Sequence, residues 1–158
     1  MRAKDLLTAI GWVLVCEGAG LIGTIFTAPS IPSWYATLVR PTLAPPNWIF
    51  APVWTTLFFL MGIAAFLVAR AGADRRYVRA ALVIFFIQLA LNVGWSFLFF
   101  GLKSPAMAAL EIVLLWLAIA ASIWAFARVS RAAAWLLLPY IAWVTFAAYL
   151  NVAIWLLN

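Results

Sequence analysis

The chemistry open to this chain is set first by the side chains it lacks. It has no histidine, a single cysteine (Cys16) and only four acids, Asp5, Glu17, Asp74 and Glu111. A Cys/His zinc site, a histidine-based triad and a histidine-ligated haem cannot be assembled from that set. One cysteine forms no internal disulfide, so the redox compartment is not recorded. What the chain has in excess is tryptophan, at ten residues. Indoles are flat, apolar and carry one N–H donor, so several together can wall a site for a flat ligand. Gln88, Asn92, Trp95 and Phe99 recur at helical spacing and share one face. Asn47, Trp54, Phe58 and Met61 form a similar stripe, as do Tyr140, Trp143, Ala147 and Asn151 just after the kink that Pro139 would allow. Such faces have two readings: glue between helices, or the walls of a cavity for a largely apolar ligand with a few polar edges.

Two acids fall inside apolar runs. Glu17 is near the middle of the first, where an unpaired charge costs at least a few kcal/mol. It must be protonated, paired or set in a wet cavity. Glu111 lies one to two turns into the fourth run and is expected to pair with Lys103 from the preceding turn.

The elements that must position these residues follow from composition. The chain is 69% hydrophobic and 9% charged, against about half and about a quarter in soluble domains. No soluble fold of 158 residues hides that much apolar surface, which excludes a soluble enzyme. Five stretches, 6–27, 48–69, 80–100, 106–127 and 132–157, reach the roughly 20 residues that a spanning helix takes. They are continuously apolar and longer than barrel strands. The expected fold class is therefore all-α, an integral membrane bundle of five transmembrane helices forming one domain over 1–158. The first stretch is too long for the apolar core of a signal peptide and is taken as a span.

Five spans sort the basic residues. One side gathers Arg2, Lys4, Arg70, Arg75, Arg76, Arg79, Arg128 and Arg131, and the other only Arg40 and Lys103. The positive-inside rule then puts the N-terminus in the cytoplasm and the C-terminus outside, in a multi-pass cell membrane. The same bias accounts for the net charge of +6, so no nucleic-acid partner is expected. Residues 28–47 are the one long connection, with Pro29, Pro32, Pro41, Pro45 and Pro46 among Trp34, Tyr35 and Arg40. Such a loop is usually functional or a lid. Trp34, Trp48, Trp135, Trp155, Trp12 and Trp124 suit an interfacial belt. Trp54, Trp116 and Trp143 fall too deep for that, with Trp95 intermediate. Ala19-x-x-x-Gly23 and Ala90-x-x-x-Gly94 permit close helix contact and hint at a homodimer.

The run Trp34-Tyr35-x-x-Leu38-x-Arg40-Pro41-x-x-x-Pro45-Pro46-x-Trp48-x-x-x-Pro52-x-Trp54 resembles the first-loop and second-helix signature of the translocator protein family. Its members are also called tryptophan-rich sensory proteins or peripheral-type benzodiazepine receptor homologues. Gln88-Leu89-x-Leu91-Asn92-x-x-Trp95 with Phe99-Phe100-Gly101 looks like the family's third helix. Pro139-Tyr140-x-x-Trp143-x-x-Phe146-Ala147-x-x-Leu150-Asn151 is similar to its fifth.

The resemblance implies a bacterial, often dimeric five-helix protein of the lipid bilayer. It would bind porphyrins such as protoporphyrin IX, and other hydrophobic small molecules, beneath the first loop. Porphyrin enters as ligand or substrate, with no cofactor and no metal expected. By position, Trp54 and Trp143 match the tryptophans linked to light- and oxygen-dependent porphyrin breakdown. Asn92, Trp95, Ala147 and Leu150 match pocket-lining positions, joined by Tyr35, Arg40 and Phe50. Val152 and Leu156 stand where the animal members' cholesterol motif needs a tyrosine and a basic residue, so sterol recognition is not expected. Leu43 and Ala44 replace an aromatic and a polar residue common in the first loop, which bears on the rank order of synthetic ligands. The alternative is a small proton-coupled multidrug exporter using Glu17, although such exporters usually have four spans and lack this loop.

Overall fold

The computed structural model describes residues 3–158, so Arg2 lies outside the described residues. Those residues form α1 (Ala3–Ser30), α2 (Phe50–Ala69), α3 (Arg75–Ser96), α4 (Pro105–Ala127), α5 (Arg131–Leu136) and α6 (Leu138–Leu157), with no strand among them. Five segments are long and apolar enough to cross a membrane: Ala3–Ser30, Asn47–Ala69, Arg75–Gly101, Pro105–Ala127 and Arg131–Leu157. The chain is thus an all-α membrane bundle.

Helix starts follow local capping chemistry. The Asp74 carboxylate accepts from Arg76 N (2.9 Å), Ser104 Oγ from Met107 N and Ser130 Oγ from Ala133 N. Pro105 supplies the preset φ of a first turn. In the first helix the chain stays helical to Ser30, three residues into the expected loop. The Ser30 hydroxyl fixes that end by donating to the Phe100 carbonyl (2.9 Å).

Two crossings are irregular. The fifth breaks at Leu137, whose N–H bonds the Ala134 carbonyl in a tightened turn (3.1 Å). Pro139 enforces the break, because it has no N–H and its ring crowds the carbonyl four residues back. The third crossing ends in a widened π turn over Phe97–Gly101, closed by Leu102 N to Phe97 O (2.8 Å). Lys103 then takes a left-handed conformation (φ 53°) before α4 begins.

This geometry separates the expected Lys103–Glu111 pair. Lys103 is exposed at the turn, whereas Glu111 faces inward against Gly94 of α3. Both Glu111 carboxyl oxygens are buried without a hydrogen-bond partner. Sequence distance along α4 placed the two within reach, but the helix presents Glu111 to its neighbour and not to its own N-terminal turn.

α1 packs on α2 and α3, and α4 bridges α3 and α6. The main core lies around Met61, Phe85, Ile112, Leu115, Ile119 and Phe126, with Phe85 stacked on Phe126 at 5.5 Å. A smaller core of Tyr35, Phe99, Ala108 and Ile154 lies under the first loop, and Trp95 packs against both. The two glycines of the small-residue pairs noted above face neighbours within the chain. Gly23 faces Ser96 of α3, as Gly94 faces Glu111 of α4.

At Gly62 the α1 and α2 helices approach closely. A Cβ built there would stand 2.5 Å from the Val13 Cα, a backbone atom that no rotamer change can move. Gly62→Ala is therefore expected to destabilise the bundle by about 1–3 kcal/mol. Gly72→Ala, with open space around it, should cost far less. Thermal unfolding in detergent checks this, and equal midpoints for wild type and Gly62→Ala would refute it.

Candidate functional site

Inside the bundle, polar groups can satisfy each other only across helices. Tyr140 of α6 solves this for two amides of α3. Its hydroxyl accepts from Asn92 Nδ2 (3.0 Å) and donates to Gln88 Oε1 (2.8 Å). Gln88 Nε2 in turn points to Met61 Sδ of α2 (3.9 Å). Nearer the loop end, Trp95 Nε1 donates to Asn151 Oδ1 (2.9 Å), and Asn151 Nδ2 donates to the Pro105 carbonyl (2.7 Å). The amide faces therefore do act as helix glue, tying α3 to α6 and α4.

The same faces also border a cavity of about 320 Å³ between α1, α2, α3 and α6. Its size is at the lower end of small-molecule sites. The aromatic walls are Trp54 and Phe58 of α2, Trp95 of α3 and Trp143 of α6. Trp54 leans on Phe58 (5.6 Å) and meets Tyr140 edge-on (6.3 Å), Trp95 stacks on Phe99 (5.1 Å), and Phe50 meets Trp143 edge-on (6.2 Å). These contacts hold the rings in place before any ligand arrives. Asn92 and Asn47 add polar edges. The Trp143 Nε1–H is buried and has no acceptor.

Of the residues singled out in the sequence, Tyr35, Phe50, Trp54, Asn92, Trp95, Trp143 and Ala147 border this cavity. Leu150, one turn above Ala147, is buried in the packing and does not border it. Arg40 stands behind the wall: its guanidinium lies over the Tyr35 ring (5.6 Å) and donates to Asn47 Oδ1 (3.2 Å). Trp116 does not join the other deep indoles. It lies between α4 and α6, with its N–H on Thr145 Oγ1 (2.9 Å).

Sequence reasoning missed the contribution of α1. Glu17, Gly20, Leu21, Thr24, Thr27 and Ala28 form a stripe along the cavity, continued by Ile31 just past the helix end. The signal was present as small and hydroxyl residues at three- and four-residue spacing. Leu21, Thr24 and Ala28 of α1, and Ala51 and Thr55 of α2, line the cavity and are also exposed, so it opens sideways between these two helices. Glu17, Phe58, Asn92 and Trp143 are the deepest lining residues of their helices.

The first loop roofs the cavity. Tyr35 is buried against Phe99 and Phe100 (6.3 and 5.8 Å), and Trp34 meets Phe99 edge-on at 5.6 Å. Burial pushes the Tyr35 phenol above its ordinary value, with Arg40 pulling the other way. The ring therefore stays a neutral phenol at physiological pH. The loop is tied to the end of α6 by Asn158, whose side chain accepts from Val39 N (3.0 Å) and donates to Val39 O (3.1 Å).

Residues 12–156 match the TspO/MBR family. The chain is 47% identical over 156 residues to the tryptophan-rich protein TspO of Chlorobaculum tepidum, covering 98% of both chains. It is 42% identical over 156 residues to the protein of the same name from Archaeoglobus fulgidus, covering 98% of this chain and 99% of that one. It is 36% identical over 154 residues to the human translocator protein, covering 97% of this chain and 91% of the relative.

The Asn158 clamp yields a test of the loop as a roof. Asn158→Ala removes both bonds to Val39 while leaving the cavity walls in place. Amide exchange at Val39 should accelerate by about two- to tenfold, the equivalent of one modest hydrogen bond. Exchange in α3 should stay as in wild type. An unchanged rate at Val39 would show that the loop is held by its aromatic contacts alone.

Proposed function

The chain belongs to the TspO/MBR family, and from that premise we propose that its cavity receives protoporphyrin IX or a similar flat, hydrophobic tetrapyrrole. Membership makes it a multi-pass membrane protein of a sensor and receptor family. The observation that carries the finer reading is the Trp143 Nε1–H, buried without an acceptor on a cavity walled by Trp54 and Trp95. Leaving a buried donor unpaired is unfavourable by about 1–3 kcal/mol. A ligand acceptor would relieve that cost while its flat body lies against the rings. Asn92 and Asn47 offer further polar edges. We place the N-terminus in the cytoplasm from the distribution of basic residues, so the roofed end of the cavity faces outward.

Stacked indoles also bear on what happens under light. A photoexcited porphyrin can take an electron from an adjacent indole, with dioxygen as the final oxidant. We propose Trp54 and Trp143 as the participants in such breakdown. Proton-coupled export is not adopted, because the chain belongs to a different family and Glu17 has a place in this same cavity.

Titrating detergent-purified protein with protoporphyrin IX in the dark should give saturable quenching of tryptophan fluorescence. Trp143→Phe, which keeps the ring face but removes the donor, should weaken binding about two- to tenfold. Unsaturable quenching would remove porphyrin as the ligand. Illuminating the saturated complex should bleach the porphyrin absorption in wild type and spare it in the Trp54→Phe, Trp143→Phe double variant. Equal bleaching in both would leave the two indoles as walls only.

A further inference from the structure

Glu17 has no structural task. It is the one acidic side chain among the described residues that line the cavity, and it lies at the deep end. No hydrogen bond or ion pair engages it among the described residues. Countercharges are remote. Lys4 on the same helix is roughly 20 Å away along the axis, at about 1.5 Å per residue. Arg70 and Arg79 are at the far ends of α2 and α3, more than three turns below Phe58 and Asn92. Arg40, the basic residue of the roof loop, is taken by Tyr35 and Asn47, and Lys103 at the same end is exposed in its turn.

An acid with no partner, in a cavity that Trp54 and Phe58 also line, is what a cationic nitrogen requires. The ammonium would meet the carboxylate at the floor, while a flat body occupies the space between Trp54, Trp95 and Trp143. The sideways opening between α1 and α2 suits amphiphilic cations, which concentrate in the membrane before binding. We infer that Glu17 is a specificity-determining residue, selecting flat hydrophobic ligands that carry a protonated amine. The inference rests on the cavity being the ligand site and names a ligand class for it beyond the tetrapyrroles.

The test uses two probes of one shape, pyrenemethylamine (protonated near neutral pH) and pyrenemethanol (neutral), titrated into the purified full chain by tryptophan-to-pyrene energy transfer. Wild type should prefer the amine by at least about tenfold, the size expected when a desolvated charge pair forms. Glu17→Gln should abolish that preference. Glu17→Asp, which keeps the charge, should retain much of it. Equal affinities of wild type for the two probes would overturn the inference even if the Gln variant failed to fold. A preference that survives in Glu17→Gln would overturn it too. In both cases saturable pyrenemethanol binding would leave the cavity itself standing as the ligand site. If neither probe bound saturably to wild type, the cavity reading would fail and Glu17 selectivity with it.

Discussion

A hydrocarbon environment supplies no water to buried polar groups, and the bundle is organised around that constraint. Each amide placed on α3 must find its partner on another helix. Tyr140 is the hinge of the solution, since one hydroxyl both accepts from Asn92 and donates to Gln88. That arrangement fixes the rotation of α3 against α6. Once it is fixed, Trp95 and Trp143 follow, because they lie three residues beyond Asn92 and Tyr140 on their own helices. The walls of the cavity are thus a consequence of the bonding pattern one turn below.

The other side of the cavity is set by shape. At Gly62 the α1 and α2 helices approach so closely that a methyl group would meet backbone. Above that point α2 carries Phe58 and Trp54, while α1 carries glycine, threonine and alanine. Bulk on one helix and its absence on the other leaves a gap instead of a packed seam. Gly20 marks the boundary, since a Cβ there would fall 2.6 Å from the Phe58 ring. Small residues in membrane helices are usually read as places where helices touch. Here the same residue types do both: Gly62 brings two helices together, and the stripe from Gly20 to Ala28 leaves space beside them.

What could be read from the sequence was what depends on one helix at a time. The five crossings follow from length and apolar continuity, the aromatic and amide stripes from the 3.6-residue period, and the break in the fifth crossing from Pro139. What could not be read depends on facing partners. Glu111 looked like a mate for Lys103 but is turned toward Gly94. Trp116 is as deep as Trp143, yet it faces Thr145 and not the cavity. The π turn over Phe97–Gly101 has no period of its own in the sequence, although it presents Phe99 and Phe100 to the loop that covers the cavity. Leu150 shares a helical face with Ala147, yet it is packed away while Ala147 borders the cavity.

The indoles bordering the cavity differ in what their nitrogens are doing, and that difference separates structure from recognition. The Trp95 N–H is consumed by Asn151, which itself holds the Pro105 carbonyl, so Trp95 is part of the scaffold that also shows a ring face to the cavity. Trp143 is held by its neighbours Phe50 and Phe146 through ring contacts alone, and its N–H has no acceptor. A protein selected only for stability gains by pairing that donor, since the penalty for leaving it is comparable to the whole net worth of a hydrogen bond. Glu17, on the opposite helix, is unpaired in the complementary sense, as an acceptor without a donor. Glu111 is unsatisfied too, but it is packed against Gly94 away from the cavity; the Trp143 donor and the Glu17 acceptor are the unmet groups that a ligand in the cavity can answer.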